Sequence, residues 1–245
     1  MMMSGWDKRY SEILHEFKYS EKQDTESAII LDLILGKTVS TKKISEKIKG
    51  KTVFVIGAGS SLSLAIPVLK NFKKAVKIVA DSAVKPLVEN GIKPDIVVTD
   101  LDGDKDSLIK VGKTNSIFVI HAHGDNIAKL CIVENFKNCI GTTQSKPFKN
   151  IQNFGGFTDG DRAVFLASHF NANKIILFGM DFGKRIGKYS QTKVVERKIK
   201  LKKLRKGKSL LEWLSEKTRS QLFTTSSPIR GFEKISYSEL DSIIT

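Results

Sequence analysis

The chain has 245 residues, 40 % of them apolar and 27 % charged, with a formal net charge of +15. That length suits one α/β domain with appendages, and the apolar share supplies a sizeable core. No apolar run approaches the roughly 18 residues that span a bilayer, and two cysteines with four histidines are too few for a Cys-rich zinc site.

The chain starts MMMSGWDKRYSEILHEF, with acids and a tryptophan where a secretory leader carries an apolar stretch. The expectation is a cytoplasmic protein with no membrane partner. Residues 1–50 read as a helical appendage, in which SAIILDLILG forms an apolar helix stopped by Gly36. From residue 52 short β-rich runs alternate with helical stretches. The predicted strands are 52–57, 76–81, 95–100, 116–123, 138–143 and 174–179, apolar at nearly every position, as strands buried on both faces are. Strands alternating with helices imply parallel pairing with right-handed crossovers. Residues 51–190 are therefore expected to form a Rossmann-like α/β core, a doubly wound and mostly parallel sheet. Cys131 and Cys139 are expected as reduced, partly buried thiols. Residues 191–245 read as a basic helical extension whose densest part is KVVERKIKLKKLRKGK, residues 193–208. A solvated helix face explains that run as well as a phosphate-rich ligand does. No zinc finger, RNP-type strand or helix-turn-helix accompanies it, so nucleic acid is the weaker partner.

In a doubly wound sheet ligands bind beyond the carboxyl ends of the strands, and the polar clusters fall there. After successive strands come GAGSS (57–61), Asp81-Ser82, DLDGD (100–104), HAHGDN (121–126), GTTQS (141–145) and GMDFGKR (179–185).

The acidic loop is the most informative of these. As a calcium EF-hand loop it fails, because Lys105 and Val111 stand where Gly and Glu belong. A haloacid-dehalogenase-type phosphatase also places D-x-D-G after an apolar strand, but Asp104 replaces its Thr or Ser, and three strands have already passed. Asp104 and Asp106 suit the cap of the next helix. Asp100 and Asp102 are two apart at a strand end, where an extended backbone aims both the same way. Hard carboxylates in a basic protein suit magnesium on a nucleotide's phosphates, with Gly103 allowing close backbone approach.

GAGSSL lacks the third glycine of a dinucleotide fingerprint and is no P-loop. As a strand-to-helix turn, Gly57, Gly59, Ser60 and Ser61 still offer donors to a phosphate, or make a tight turn with no ligand. His121 and His123 share a strand face, with Asp125 beside them, which suits metal binding, proton transfer, substrate hydrogen bonding or a polar cap. In GFTDGDRA, Asp161 is the expected N-cap, leaving Asp159 to face the pocket and Arg162 available for phosphate. In GMDFGKR, Lys184 and Arg185 are within reach of phosphates.

Taken together, GAGSSL, Asp81-Ser82-Ala83, PDIVVTDLDGD, HAHGDN, GFTDGDRA and GMDFG resemble the archaeal 6-hydroxymethyl-7,8-dihydropterin diphosphokinase family over about residues 50–185. PDIVVTDLDGD is also similar to the metal motif of thiamine pyrophosphokinases. The first loop departs by lacking the proline of GxGPSL, and Ser82 stands where Gly is common. The resemblance implies magnesium-dependent transfer of diphosphate from ATP to a pterin hydroxymethyl group, with AMP released, in tetrahydromethanopterin or folate biosynthesis. Asp100 and Asp102 would hold the metal, and Asp81 or Asp159 would accept the pterin's paired N–H groups. His123 or Asp125 would orient the attacking hydroxyl. A homodimer is compatible with this reading. The rivals are a thiamine pyrophosphokinase, a metal-dependent sugar-nucleotide glycosyltransferase, and a nucleic-acid-binding protein built on residues 193–208.

Overall fold

The structure, a computed structural model, describes residues 3–36, 38–183, 185–190 and 194–244. Three helices lead: α1 (Trp6–Phe17), α2 (Glu21–Ile34) and α3 (Thr41–Ile48). An alternating core follows: β1 (Thr52–Ile56), α4 (Leu62–Leu69), β2 (Val76–Ala80), α5 (Val84–Glu89), β3 (Ile96–Thr99), α6 (Lys105–Gly112), β4 (Ile117–His121), a 3-10 segment (Gly124–Asn135) and β5 (Cys139–Thr142). The chain then forms β6 (Ile151–Gln152), α7 (Asp159–His169), β7 (Lys174–Phe178), α8 (Arg197–Ser215), β8 (Gln221–Thr224), β9 (Glu233–Lys234) and α9 (Leu240–Ile244). The six strands expected from sequence are all present, each trimmed at its polar ends.

Among the described residues the strands form one nine-stranded sheet, ordered β6-β5-β4-β3-β2-β1-β7-β8-β9 and parallel throughout. The basic extension therefore contributes strands as well as a helix: β8 and β9 complete the edge beyond β7. The sequence reading separated the basic run from SLLEWLSEKTRSQ, but α8 runs unbroken through both as far as Ser215. No described helix is long and apolar enough to cross a membrane.

Alternation within each strand divides the core into two layers. Val53 and Val55 face α1, α3, α7 and α8, while Phe54 and Ile56 face α2, α4, α5, α6 and the 3-10 segment. The chain progresses outward from β1 to β6 with its crossovers on the second face, then returns to β7 through α7 on the first. Reversal of direction with unchanged handedness moves the helix to the opposite face. This places the switch point between β1 and β7, and it lays α7 behind the strands the chain has already made.

The N-terminal helices are anchored rather than appended loosely. Trp6 is fully buried and its Nε1 donates to the Gln144 carbonyl at 2.9 Å. Buried Asp24 accepts from the Gly124 amide at 3.0 Å, from Tyr10 at 2.8 Å and from the Gln144 side chain at 3.0 Å. Two loops beyond strand ends, those after β4 and β5, are thereby tied to α1 and α2. Cys131 is exposed, Cys139 is buried, and both are free.

Candidate active site

The acidic loop is shaped by a conformation that its sequence does not announce. Leu101, buried, has φ 68°, a left-handed conformation rarely adopted by a branched residue. Its amide donates to Thr99 Oγ1 at 2.8 Å, and the Asp102 amide donates to Asp81 Oδ2 at 2.8 Å. The kink breaks the two-residue alternation, so Asp100 and Asp102 part. The Asp102 carboxylate, 61 % exposed, pairs with Lys129. Asp100 turns inward.

There it meets two carboxylates from elsewhere in the chain. Oxygens of Asp81, Asp100 and Asp159 lie within 4.8 Å of one another. Asp81 follows β2 and Asp100 follows β3. Asp159 is the first residue of α7, delivered to the same point because that helix runs behind those strands. Thr158 and Asp161 form a capping box at its start, so Asp161 serves the helix and Asp159 is released toward the cleft.

Such a cluster repels itself, and its electrostatics show it. Burial and the neighbouring Asp100 charge push the Asp81 carboxyl up to about 7. Burial and Asp100 also raise Asp159 well above the ordinary carboxylate range. Burial opposes the charge on Asp100 too, but His123, Arg162 and Lys203 outweigh it and hold this carboxyl below its usual value. Asp81 Oδ1 and Asp100 Oδ1 are buried with no hydrogen-bond partner. A Cβ at Gly103 would collide with Asp81 Oδ1, so only glycine lets this loop close over that carboxylate. Three hard carboxylates, two of them with a buried and unpartnered oxygen, fit a divalent cation such as magnesium.

His123 Nε2 stands 3.5 Å from Asp100 Oδ2, and its Nδ1 accepts the Asp125 amide at 3.3 Å. With Nδ1 taken up by the Asp125 amide, Nε2 is the ring nitrogen that faces Asp100. Its ring stacks on His121 with centroids 6.0 Å apart. Asn126 holds this corner, donating to the Asp100 and His121 carbonyls at 2.9 and 2.7 Å and accepting the His123 amide at 3.1 Å. Asp125 is largely exposed, 3.9 Å from His123 Nδ1. Arg162 is buried and donates to Asp159 at 3.1 Å.

The turn at residues 57–61 has most of its donors engaged internally. The Gly57 and Gly59 amides bond the Phe178 and Gly179 carbonyls at 2.9 and 2.8 Å. Asp181 accepts from the Ser61 amide at 2.7 Å and from the Ser60 and Ser61 hydroxyls at 3.2 and 3.0 Å. A carboxylate of the chain itself thus fills the position at the start of α4 that the sequence reading gave to phosphate. Gly57, Gly59 and Asp181 still line a crevice at the switch point, with Met180, Phe182 and Arg185. Lys184 lies outside the described residues.

Beyond the carboxylates opens a cavity of about 430 Å³, walled by Asp100, Asp102, Phe157, Asp159, Glu196 and Ile199, with Lys200 and Lys203 of α8 opposite. Sequence reading missed both lysines, Asp181 and the joining of Asp81 to Asp159. One signal for the lysines was available. Positions 200, 203, 207, 210, 211 and 214 share a helix face, and its later members are the buried Gly207, Leu210, Leu211 and Leu214. Lysines on an inward stripe imply something anionic in front of them.

Residues 34–187 match the family described as MptE-like, 6-hydroxymethylpterin diphosphokinase MptE-like. The 6-hydroxymethyl-7,8-dihydropterin pyrophosphokinase of Methanocaldococcus jannaschii is 44 % identical over 235 residues, covering 89 % of this chain and 97 % of the relative. Enzymes of the same name from Pyrococcus furiosus and Methanothermobacter thermautotrophicus are 39 % and 36 % identical, covering 92 % and 87 % of this chain and 100 % and 95 % of theirs. Among solved structures, the MAf glycosyltransferase from Magnetospirillum magneticum AMB-1 shares the fold, with TM-score 0.51 and 17 % identity. That match covers 80 % of this chain and 37 % of the glycosyltransferase.

Proposed function

The chain belongs to the MptE-like 6-hydroxymethylpterin diphosphokinase family, and we propose that it transfers diphosphate from ATP to 6-hydroxymethyl-7,8-dihydropterin, releasing AMP, with magnesium as cofactor. The product would serve tetrahydromethanopterin or folate synthesis. The observation that carries the cofactor reading is the buried cluster of Asp81, Asp100 and Asp159 with two unpartnered oxygens.

The reaction needs the pterin hydroxyl in line with the β-phosphorus. A new oxygen–phosphorus bond forms as the hydroxyl proton passes to solvent, the bond from the β-phosphorus to the oxygen bridging it to the α-phosphorus breaks, and AMP leaves with that oxygen. Little covalent chemistry falls to the protein, whose task is positioning and charge neutralisation. Asp81, Asp100 and Asp159 would hold magnesium, which neutralises charge on the transferred phosphates when bound. His123 faces Asp100 with its Nε2 3.5 Å away, and Asn126 fixes His123 in place. Arg162 restrains Asp159, and its charge opposes the repulsion among the three acids. With Asp81 and Asp159 engaged in the cluster, Phe157 and Ile199 are left to bury the pterin ring.

The test is AMP release from ATP and magnesium with 6-hydroxymethyl-7,8-dihydropterin, with thiamine as control acceptor. Pterin-dependent AMP that disappears in Asp100→Ala, Asp81→Ala and Asp159→Ala is the expected result. AMP with thiamine alone would transfer the mechanism to a different acceptor. No AMP from folded protein with either acceptor would overturn the reading.

A further inference from the structure

We propose that Lys200 and Lys203 of α8 are the phosphate-binding residues of this enzyme, gripping the nucleotide's polyphosphate from the side opposite the carboxylate cluster. The proposal rests on the diphosphokinase reading for the identity of the ligand, and on four observations of its own.

The first is the state of the other candidates. Most donors of the turn at residues 57–61 are engaged by Phe178, Gly179 and Asp181, Arg162 is paired with Asp159, and Lys129 is paired with Asp102. Arg185 lines the switch-point crevice but not the cavity beside Asp100, so a substrate with several negative charges, approaching acids in that cavity, needs cations from elsewhere.

The second is how α8 distributes its basic residues. Lys202 and Lys206 turn to α1, where they pair with Glu16 and Glu12, and Lys208 pairs with Glu212. Lys198 and Arg205 are exposed. Lys200 and Lys203, three apart and so on one face, point into the cleft and make no ion pair among the described residues. These two are available to a ligand.

The third is that the helix is fixed in place. Gly207 brings α8 so near the start of α7 that a Cβ there would stand 2.8 Å from Asp161 Oδ1. Leu210, Leu211 and Leu214 continue the same face into the core. The anchor holds Lys200 and Lys203 over the first turn of α7, where Asp159 sits. The Lys203 ammonium lies 5.5 Å from the Tyr19 ring and 6.0 Å from that of Phe157, so aromatic faces steady it without neutralising it.

The fourth is reach. Lys200 and Lys203 line both the switch-point crevice and the cavity beside Asp100, two spaces that adjoin at Asp159. A polyphosphate running from one space to the other passes between the lysines and the acids.

Equilibrium binding of ATP in magnesium, together with steady-state kinetics, tests this on the full-length protein. Lys200→Met and Lys203→Met retain the apolar stem and remove the charge. Each is expected to weaken ATP binding about tenfold or more, to raise the KM for ATP, and to change AMP binding far less. Lys203→Arg should recover most of the affinity. Lys198→Met, an equal loss of charge on the outer face of the helix, should bind ATP like wild type. ATP binding unchanged in both cleft variants, or weakened equally in Lys198→Met, would overturn the assignment even with wild-type AMP release intact. Should wild type release no AMP with any acceptor, the diphosphokinase reading falls separately. Inorganic tripolyphosphate then replaces ATP as the probe, and the same dependence on Lys200 and Lys203 would uphold a polyphosphate site.

Discussion

Two runs of charge face each other across the cleft, and the chain sorts them by different means. In the acidic loop after β3 the sorting is residue by residue. The left-handed turn at Leu101 buries Asp100 and sends Asp102 outward to Lys129, while Asp104 caps α6 through the Ser107 amide at 3.0 Å. In α8 the sorting is by face. The helical period assigns Lys202 and Lys206 to α1, Lys198 and Arg205 to solvent, and Lys200 and Lys203 to the cleft. The contrast shows that a charge cluster in sequence is not a charge cluster in space. Backbone conformation decides which members act together, and the loop and the helix decide it with different periods.

The comparison makes its largest prediction at Asp100. Asp100→Asn removes the innermost charge and should lower turnover by about a thousandfold, with a parallel loss of magnesium affinity measured by calorimetry. Gly207→Ala should come next. It forces α8 away from Asp161 and moves both lysines, so turnover should fall about tenfold, and the thermal midpoint should fall as well, because the shift disturbs the packing of Leu210, Leu211 and Leu214. Asp102→Asn removes an exposed pair with Lys129 and should cost under about fivefold. A loss as large as that of Asp100→Asn would mean that the two acids act together after all, and the contrast between loop and helix would collapse.

The smallest effect is a drift of stability with pH in metal-free protein. Asp81 and Asp159 have raised pKa values in the folded state, so folding favours their protonated forms. Their contribution is fully present below the ordinary carboxylate pKa and is lost as pH rises, for Asp81 through about 7. Asp100, whose pKa is lowered, contributes with opposite sign, but its window lies in the acid range and it is constant from pH 5 to 8. Burial lowers the pKa of His121 and His169, which contribute with the opposite sign over part of the same interval, so the diagnostic is a difference between variants: in chelator the unfolding midpoint of wild type relative to Asp81→Asn should fall between pH 5 and pH 8. Magnesium should restore the midpoint most at the upper end, where the carboxylates are free of protons to bind it. A difference between wild type and Asp81→Asn that rises over this interval would remove repulsion from the account of the cluster.

Much of this architecture is written locally. Runs such as TVFVI and KIILF are apolar on both faces and too short for helices, which dictates buried parallel strands; the ends of those strands then locate the ligand site. The prominence of Asp100 and the need for Gly103 were legible for the same reason, since both follow directly from one strand and one turn. Three features were not. Asp159 joins Asp81 and Asp100 only because α7 returns behind the sheet from β6 to β7, a long-range consequence of strand order. Asp102 leaves the cluster because packing and the Thr99 hydroxyl hold Leu101 in a conformation that its own preferences disfavour. Asp181 closes the turn at residues 57–61 because β1 and β7, far apart in the chain, are neighbours in the sheet. Local pattern determines elements and their ends, because hydrophobic period and turn chemistry act over a few residues. Which side chains share a site is settled by the crossovers that stack those elements, and these exist only once the sheet has formed.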